Sequence, residues 1–181
     1  MSTTEAVSAA FVGPSAFSAS VESDFCARCK TWLNLITRFG AKKINNGLPN
    51  LAREMKKEGF KLVWSCDPMH GNTYTAESGH KTRNFDEIMS EIRSFFEIHW
   101  SEGTVPGGVH FEMTGDNVTE CTGGGRKILD HHLAQNYLTN CDPRLNAEQS
   151  LEIAFMVADR LKELRNSSRG GSVPVAATAS A

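Results

Sequence analysis

Short apolar runs alternate with stretches whose apolar residues recur at helical spacing. Leu33-Asn34-Leu35-Ile36-Thr37 reads as a strand that ends at Arg38 and Gly40. Leu48, Leu51, Ala52 and Met55 then share one helical face, and Gly59 stops that helix. Phe60 to Ser65 is a second strand-like run. It halts at Cys66-Asp67-Pro68-Met69-His70-Gly71-Asn72, a segment full of breakers and not expected to be regular structure. A long polar segment follows to about Asn84. Ile88, Ile92, Phe95 and Phe96 predict a second amphipathic helix, with Asp86 and Glu87 near its positive end. Pro106-Gly107-Gly108 precedes a third predicted strand, Val109 to Met113, which stops at Thr114-Gly115. After a glycine-rich loop at Gly123-Gly124-Gly125, Asn146 and Gln149 resemble a capping box. It opens a helix with Leu151, Ala154, Phe155, Ala158 and Leu161 on one face.

This alternation predicts an α/β fold of about three βα units around a parallel sheet. In such sheets chemistry gathers at the carboxyl ends of the strands. The residues just past the three predicted strands are Arg38, then Asp67 and His70, then Glu112. A cation, an imidazole and carboxylates are thus expected on one rim.

Composition narrows the class. The chain has 181 residues, a formal net charge of −2, 40% hydrophobic and 22% charged residues, which is ordinary for a globular protein. No basic stripe marks it for nucleic acid, and no run approaches the roughly 18 apolar residues of a membrane span. Residues 1–30 are rich in Ser, Ala and Thr and are expected to be a disordered, low-complexity segment. Residues 31–166 carry the folded domain, and 167–181 are expected to be a disordered tail. The five cysteines, Cys26, Cys29, Cys66, Cys121 and Cys141, are odd in number and follow no signal peptide. Reduced thiols in the cytoplasm are the expectation. A plastid is the alternative, because the N-terminus is poor in acidic residues. Two glycosylation sequons, at Asn117 and Asn166, carry little weight in that context.

Each candidate has a chemical and a plain reading. His70 can ligate a metal or move protons, or it is a loop histidine on the surface. Alternation within the third strand puts His110 and Glu112 on one face, where a buried carboxylate needs a cation or a metal, unless the strand is an edge facing water. Asp142 is a turn aspartate before a helix, a partner of Arg144, or a ligand. His70, Glu112 and Asp142 together form a mixed nitrogen and oxygen set suited to a divalent ion such as Mn²⁺. Only a shared rim can unite them, since they are far apart in sequence. Arg38 and the trio His80, Lys81 and Arg83 add positive charge that suits phosphate or is ordinary surface charge. Cys26-Ala27-Arg28-Cys29 is a lone CxxC, weak as a zinc or redox motif. His131-His132 reads as a solvated helix start, and the lysines at 42, 43, 56 and 57 as a solvated helix face.

Several of these residues sit in longer motifs. Ile36-Thr37-Arg38-Phe39-Gly40, Cys66-Asp67-Pro68-Met69-His70-Gly71-Asn72-Thr73, Lys81-Thr82-Arg83, Pro106-Gly107-Gly108-Val109-His110, Thr119-Glu120-Cys121 and Cys141-Asp142-Pro143-Arg144-Leu145-Asn146 occur in this order. The stretch from about Leu33 to Leu164 resembles the class II 3-deoxy-D-arabino-heptulosonate 7-phosphate (DAHP) synthases. The resemblance implies a (β/α)8 barrel that condenses phosphoenolpyruvate with erythrose 4-phosphate in the first step of the shikimate pathway. It implies a divalent metal, Mn²⁺ foremost with Co²⁺ or Mg²⁺ as alternatives, and a homo-oligomer in the complete enzyme. By the same resemblance, His70, Glu112 and Asp142 fall on three of four metal ligands, and Arg38 on an arginine that binds the phosphate of phosphoenolpyruvate. For Lys81 and Arg83 the resemblance implies proximity to the anionic substrates.

The family's fourth ligand, a cysteine, and further phosphoenolpyruvate-binding residues have no counterpart here. About three of eight barrel strands are present, and 181 residues fall short of the roughly 250 of a closed barrel. The expectation is therefore the C-terminal part of such a barrel, a fragment or shortened gene product with little activity by itself. The alternatives are an inactive barrel fragment that binds a partner and a separate metal or thiol activity at Cys26 and Cys29.

Overall fold

A computed structural model describes residues 33–170. The low-complexity segment and the CxxC lie outside the described residues. In chain order the elements are β1 (Leu33–Thr37), α1 (Ile44–Lys57), β2 (Leu62–Cys66), a 3-10 turn (His70–Asn72), β3 (Thr73–Thr75), β4 (Lys81–Arg83), α2 (Phe85–Ser101), β5 (Pro106–Val109), a second 3-10 turn (Asp130–Gln135) and α3 (Ala147–Gly170). β1, β2 and β5 form a parallel sheet in the order β1-β2-β5. α1 joins the first pair and α2 the second, so the chain contains the βα units that the pattern predicts.

The sheet has two unlike faces. Leu35 and Thr37 of β1 stand beside Trp64 and Cys66 of β2 on the buried face. They pack against Ile44, Leu48 and Ala52 of α1 and Ile88, Ile92, Phe95 and Phe96 of α2 in one apolar core. The opposite face carries Asn34, Ile36, Val63 and Ser65, with the Ser65 hydroxyl bonded to the Asn34 side chain at 2.9 Å. None of those four is buried. α2 begins where its sequence says it should: the Asn84 side chain caps the amides of Asp86 and Glu87.

Four local expectations need correction. The third strand runs over Pro106–Val109, not Val109 to Met113. Proline at a strand's first position loses no needed donor. The ladder ends because β2 ends: Val109 pairs with Cys66, and the His110 amide donates to the Cys66 carbonyl at 2.7 Å before β2 turns away. The alternation argument for His110 and Glu112 therefore fails, and Glu112 lies in the loop past the strand. The breaker-rich segment holds a turn of 3-10 helix, and the polar segment after it folds as the antiparallel pair β3 and β4. On α3, Leu151, Phe155 and Leu161 are exposed, Phe155 to 69%. Ile153 is buried instead, and Met156, Val157 and Leu164 pack on the core. The capping box explains the rotation. Asn146 and Gln149 bond reciprocally as predicted, but Gln149 is itself buried and donates to the Cys121 carbonyl, which turns its own face inward. Finally, α3 continues to Gly170, past the Ser167 boundary expected for the tail.

The loops after β1 and β2 touch backbone to backbone. Gly40 has φ +80°, and a Cβ there would lie 2.6 Å from the Gly71 carbonyl oxygen. Gly59 has a similar φ of +75° with open space around it. Gly40→Ala and Gly59→Ala therefore share the left-handed strain of roughly 1 kcal/mol, and only the first adds a clash of about 1–3 kcal/mol. Urea denaturation of both variants is expected to show Gly40→Ala losing clearly more stability. Equal losses would mean the two loops part freely.

Candidate metal and anion site

The rim is built on a buried carboxylate. Asp67 follows β2, its side chain is fully buried, and its backbone amide donates to the Thr37 carbonyl at the end of β1. Its Oδ1 accepts from the amides of Met69 and His70 at 3.0 and 3.2 Å. Its Oδ2 meets Arg38 Nε at 2.6 Å and His70 Nδ1 at 2.8 Å. One aspartate thus fixes the arginine past β1 and the histidine past β2. With Nδ1 turned to Asp67, His70 presents Nε2 to the opening, 3.3 Å from Glu112 Oε1.

Glu112 and Asp142 come from the far side of the sheet. The Leu145 amide donates to the Glu112 carbonyl at 2.9 Å, and the Thr114 amide to the Leu145 carbonyl at 2.9 Å. This parallel bridge brings the segment with Asp142 alongside the one with Glu112. A second buried carboxylate braces that segment. Glu120 accepts from the amides of Leu138, Thr139 and Arg144 and takes the Arg144 guanidinium on both oxygens. Burial alone would raise the Glu120 pKa, but Arg144 and these amides together hold it below the usual carboxylate value.

Ligand atoms of His70, Glu112 and Asp142 all lie within 4.8 Å of one another. All three side chains are partly open to solvent. Cations surround them. Arg83, fully buried, bonds Thr73 Oγ1 at 3.0 Å and Glu112 Oε2 at 2.6 Å, and also donates to the Pro143 carbonyl. Its Nη2 has no hydrogen-bond partner and lies 3.8 Å from Asp142 Oδ1. Lys81 is half-exposed and bonds Asp142, which holds the Asp142 carboxyl below its ordinary value. The structure therefore brings Arg38, His70, Lys81, Arg83, Glu112 and Asp142 to one rim. His80 turns aside, bonding Ser78 and facing the Tyr137 ring. Asp142 does not pair with Arg144, whose guanidinium belongs to Glu120.

Two important groups escaped sequence reasoning. Glu91 lies on the core face of α2, between Ile88, Ile92 and Phe95, and is fully buried. A carboxylate at a core position of an amphipathic helix was a readable signal. Glu120 stood inside a motif, but nothing in its neighbours gave its bracing role. Cys66 and Cys121 are buried, with burial raising the Cys121 thiol to about 12, so neither is poised as a nucleophile.

Sequence comparison relates the chain to known proteins. Residues 26–158 match the sequence model described as the class-II DAHP synthetase family. Over 131 residues the chain is 51% identical to phospho-2-dehydro-3-deoxyheptonate aldolase AroG of Mycolicibacterium smegmatis, covering 72% of this chain and 28% of that one. It is 53% identical to a phospho-2-dehydro-3-deoxyheptonate aldolase of Streptomyces coelicolor, covering 72% and 29%. A third, from Streptomyces lividans, is 52% identical, covering 72% and 89%. The chain thus spans less than a third of the first two relatives' length.

Glu120→Gln keeps the size but removes the charge that Arg144 requires. It is expected to lower stability by on the order of 2 kcal/mol at neutral pH, read by urea denaturation. A loss below about 0.5 kcal/mol, the range of an ordinary surface substitution, would show that Glu120 does not brace the Asp142 segment.

Proposed function

The chain belongs to the class-II DAHP synthetase family, and from that membership we propose that it carries the metal- and phosphate-binding arc of a 3-deoxy-7-phosphoheptulonate synthase. The reaction would join phosphoenolpyruvate to erythrose 4-phosphate, at the head of the shikimate pathway. The observation that carries the reading is the approach of ligand atoms of His70, Glu112 and Asp142 to within 4.8 Å of one another. One imidazole nitrogen and two carboxylates suit Mn²⁺, with Co²⁺ or Mg²⁺ as alternatives. Such an ion would supply Lewis acidity toward a substrate carbonyl oxygen.

The remaining steps fall to side chains. Asp67 keeps the His70 proton on Nδ1, so Nε2 stays free as a ligand. Arg38, joined to Asp67 through Nε, leaves its terminal nitrogens for the phosphate of phosphoenolpyruvate. Lys81, half in solvent, can turn from Asp142 to a substrate anion. Arg83 is enclosed, so its part is to offset the charge of Glu112 and Asp142 close to the anionic substrates. Cations so arranged hold two phosphorylated molecules together against their repulsion.

The fold is read here as an arc of a (β/α)8 barrel. Two features support this, because a closed barrel would pair or cover each. Among the described residues β1 and β5 each have one unpaired edge, and the sheet face with Asn34, Ile36, Val63 and Ser65 lacks a covering layer. The same features favour a second reading, in which the chain is an inactive arc that assembles with a partner. A cytoplasmic setting goes with the first reading, and a plastid is its alternative.

Mn²⁺ binding separates these possibilities. Titration followed by electron paramagnetic resonance is expected to show one Mn²⁺ per chain, with affinity reduced at least 10-fold in His70→Ala, Glu112→Ala and Asp142→Ala. Unchanged binding in all three would refute the ligand set. With Mn²⁺ and both substrates, the 181-residue chain is expected to form little product, and full turnover would refute the partial-arc reading.

A further inference from the structure

We propose that Glu91 is a positioning residue, clamping the loop that bears Arg38 and the turn that bears His70 to each other from beneath the rim. The inference rests on the functional reading above only in its consequence for the site, since the clamp is visible in the contacts themselves. Glu91 is fully buried on α2. Its Oε1 accepts from the amides of Phe39 and Gly40 at 3.2 and 3.0 Å. Its Oε2 accepts from Asn72 Nδ2 at 2.7 Å. Asn72 extends the clamp: its Oδ1 accepts from the Ala41 amide at 2.9 Å, and its Nδ2 also donates to the Pro68 carbonyl at 2.8 Å. Two side chains thus satisfy three consecutive amides past Arg38 and a carbonyl one residue past Asp67.

The chemistry asks for a carboxylate. Asn72 cannot reverse its amide, because the Ala41 amide fixes its oxygen and the Pro68 carbonyl its nitrogen. Every group that meets Glu91 is therefore a donor. Glutamine would keep one acceptor and set an NH₂ against a donor, leaving a buried bond unmade. A protonated Glu91 has the same defect. Asp67 cannot replace the clamp, since it holds the side chain of Arg38 and not the backbone after it.

Burial pushes the Glu91 pKa up to about 7, although the Gly40 amide, Asn72 and the Phe39 amide pull it down. The charged and titratable groups facing it are Asp67, which adds to the rise, and Cys66, whose thiol burial and Glu91 keep protonated. Arg38 from the loop after β1 is already paired to Asp67. The sign follows: the clamp is complete above about 7 and loses an acceptor as pH falls through that value.

Heteronuclear NMR of the 181-residue chain tests this. The amides of Phe39 and Gly40 and the Asn72 side-chain amide are expected to shift together between pH 5.5 and 8.5, with a midpoint near 7. In Glu91→Gln the shift disappears, while Ile153 on α3 is unmoved in both proteins. In Asn72→Ala, which removes one bond that favours the ionised form, the midpoint of Gly40 rises. Mn²⁺ affinity is expected to fall about 10-fold in Glu91→Gln, the low end for a supporting partner, and to recover in part in Glu91→Asp. A Gly40 amide that does not titrate in the parent chain, or titrates equally in Glu91→Gln, overturns the clamp. So does an unmoved midpoint in Asn72→Ala, which needs no folded Glu91 variant. A clamp that titrates as described in a chain that binds no Mn²⁺ would sustain the clamp and count against the metal reading alone.

Discussion

A carboxylate removed from water must be met by hydrogen bonds and positive charge, and Asp67 meets that demand with residues from two different βα units. Its oxygens take two backbone amides, one imidazole nitrogen and one guanidinium nitrogen. Leaving such a group unpaired would destabilise the fold by several kcal/mol. Arg38 and His70 therefore cannot drift apart without exposing the fold to that penalty. The backbone contact of Gly40 with Gly71 allows the approach that this pairing requires.

The rim is balanced in charge as well as anchored. Arg38, Lys81 and Arg83 face Asp67, Glu112 and Asp142, with His70 between the two sets. Such a cluster has no large excess of either sign to repel a ligand. A cation can be held by the carboxylates and an anion by the arginine and lysine, each lessening the charge left uncompensated by the other. The balance also accounts for a buried Arg83 with an unmatched Nη2: its charge is drawn inward by Glu112 and the Pro143 carbonyl, with Asp142 close enough to matter.

Much of this was legible where local patterns decide the structure. β1 matches its predicted bounds, the strand at β2 and the helices at α1 and α2 lie where the apolar period puts them, and the rim follows from parallel topology. Boundaries set by partners were not legible. β5 stops where β2 leaves it, a fact about Cys66 and Asp67 that the residues from Val109 onward do not contain. α3 offers two apolar stripes, and only the buried Gln149 decides which one faces the core. Arg83 read either as a phosphate-binding cation or as ordinary surface charge, yet three acceptors from separate segments enclose it. The ligand set had no local spacing at all, so geometry alone unites His70, Glu112 and Asp142.

Loops at the carboxyl end of a parallel sheet face a common difficulty. They must be irregular to carry functional side chains, and irregular backbone leaves amides with no ladder or helix to satisfy them. Here two buried glutamates resolve it in the same way. Glu91 takes the amides past Arg38, and Glu120 takes those from Leu138 to Arg144 around Asp142. Each is compensated differently. Glu120 has a guanidinium and stays ionised, whereas Glu91 has only neutral donors and is pushed up to about 7. The loop that holds Asp142 is consequently braced by a glutamate kept ionised by its guanidinium, and the loop that holds Arg38 by one whose grip weakens as Glu91 takes up a proton. The two halves of the rim are thus built by one device but differ in how firmly it is set.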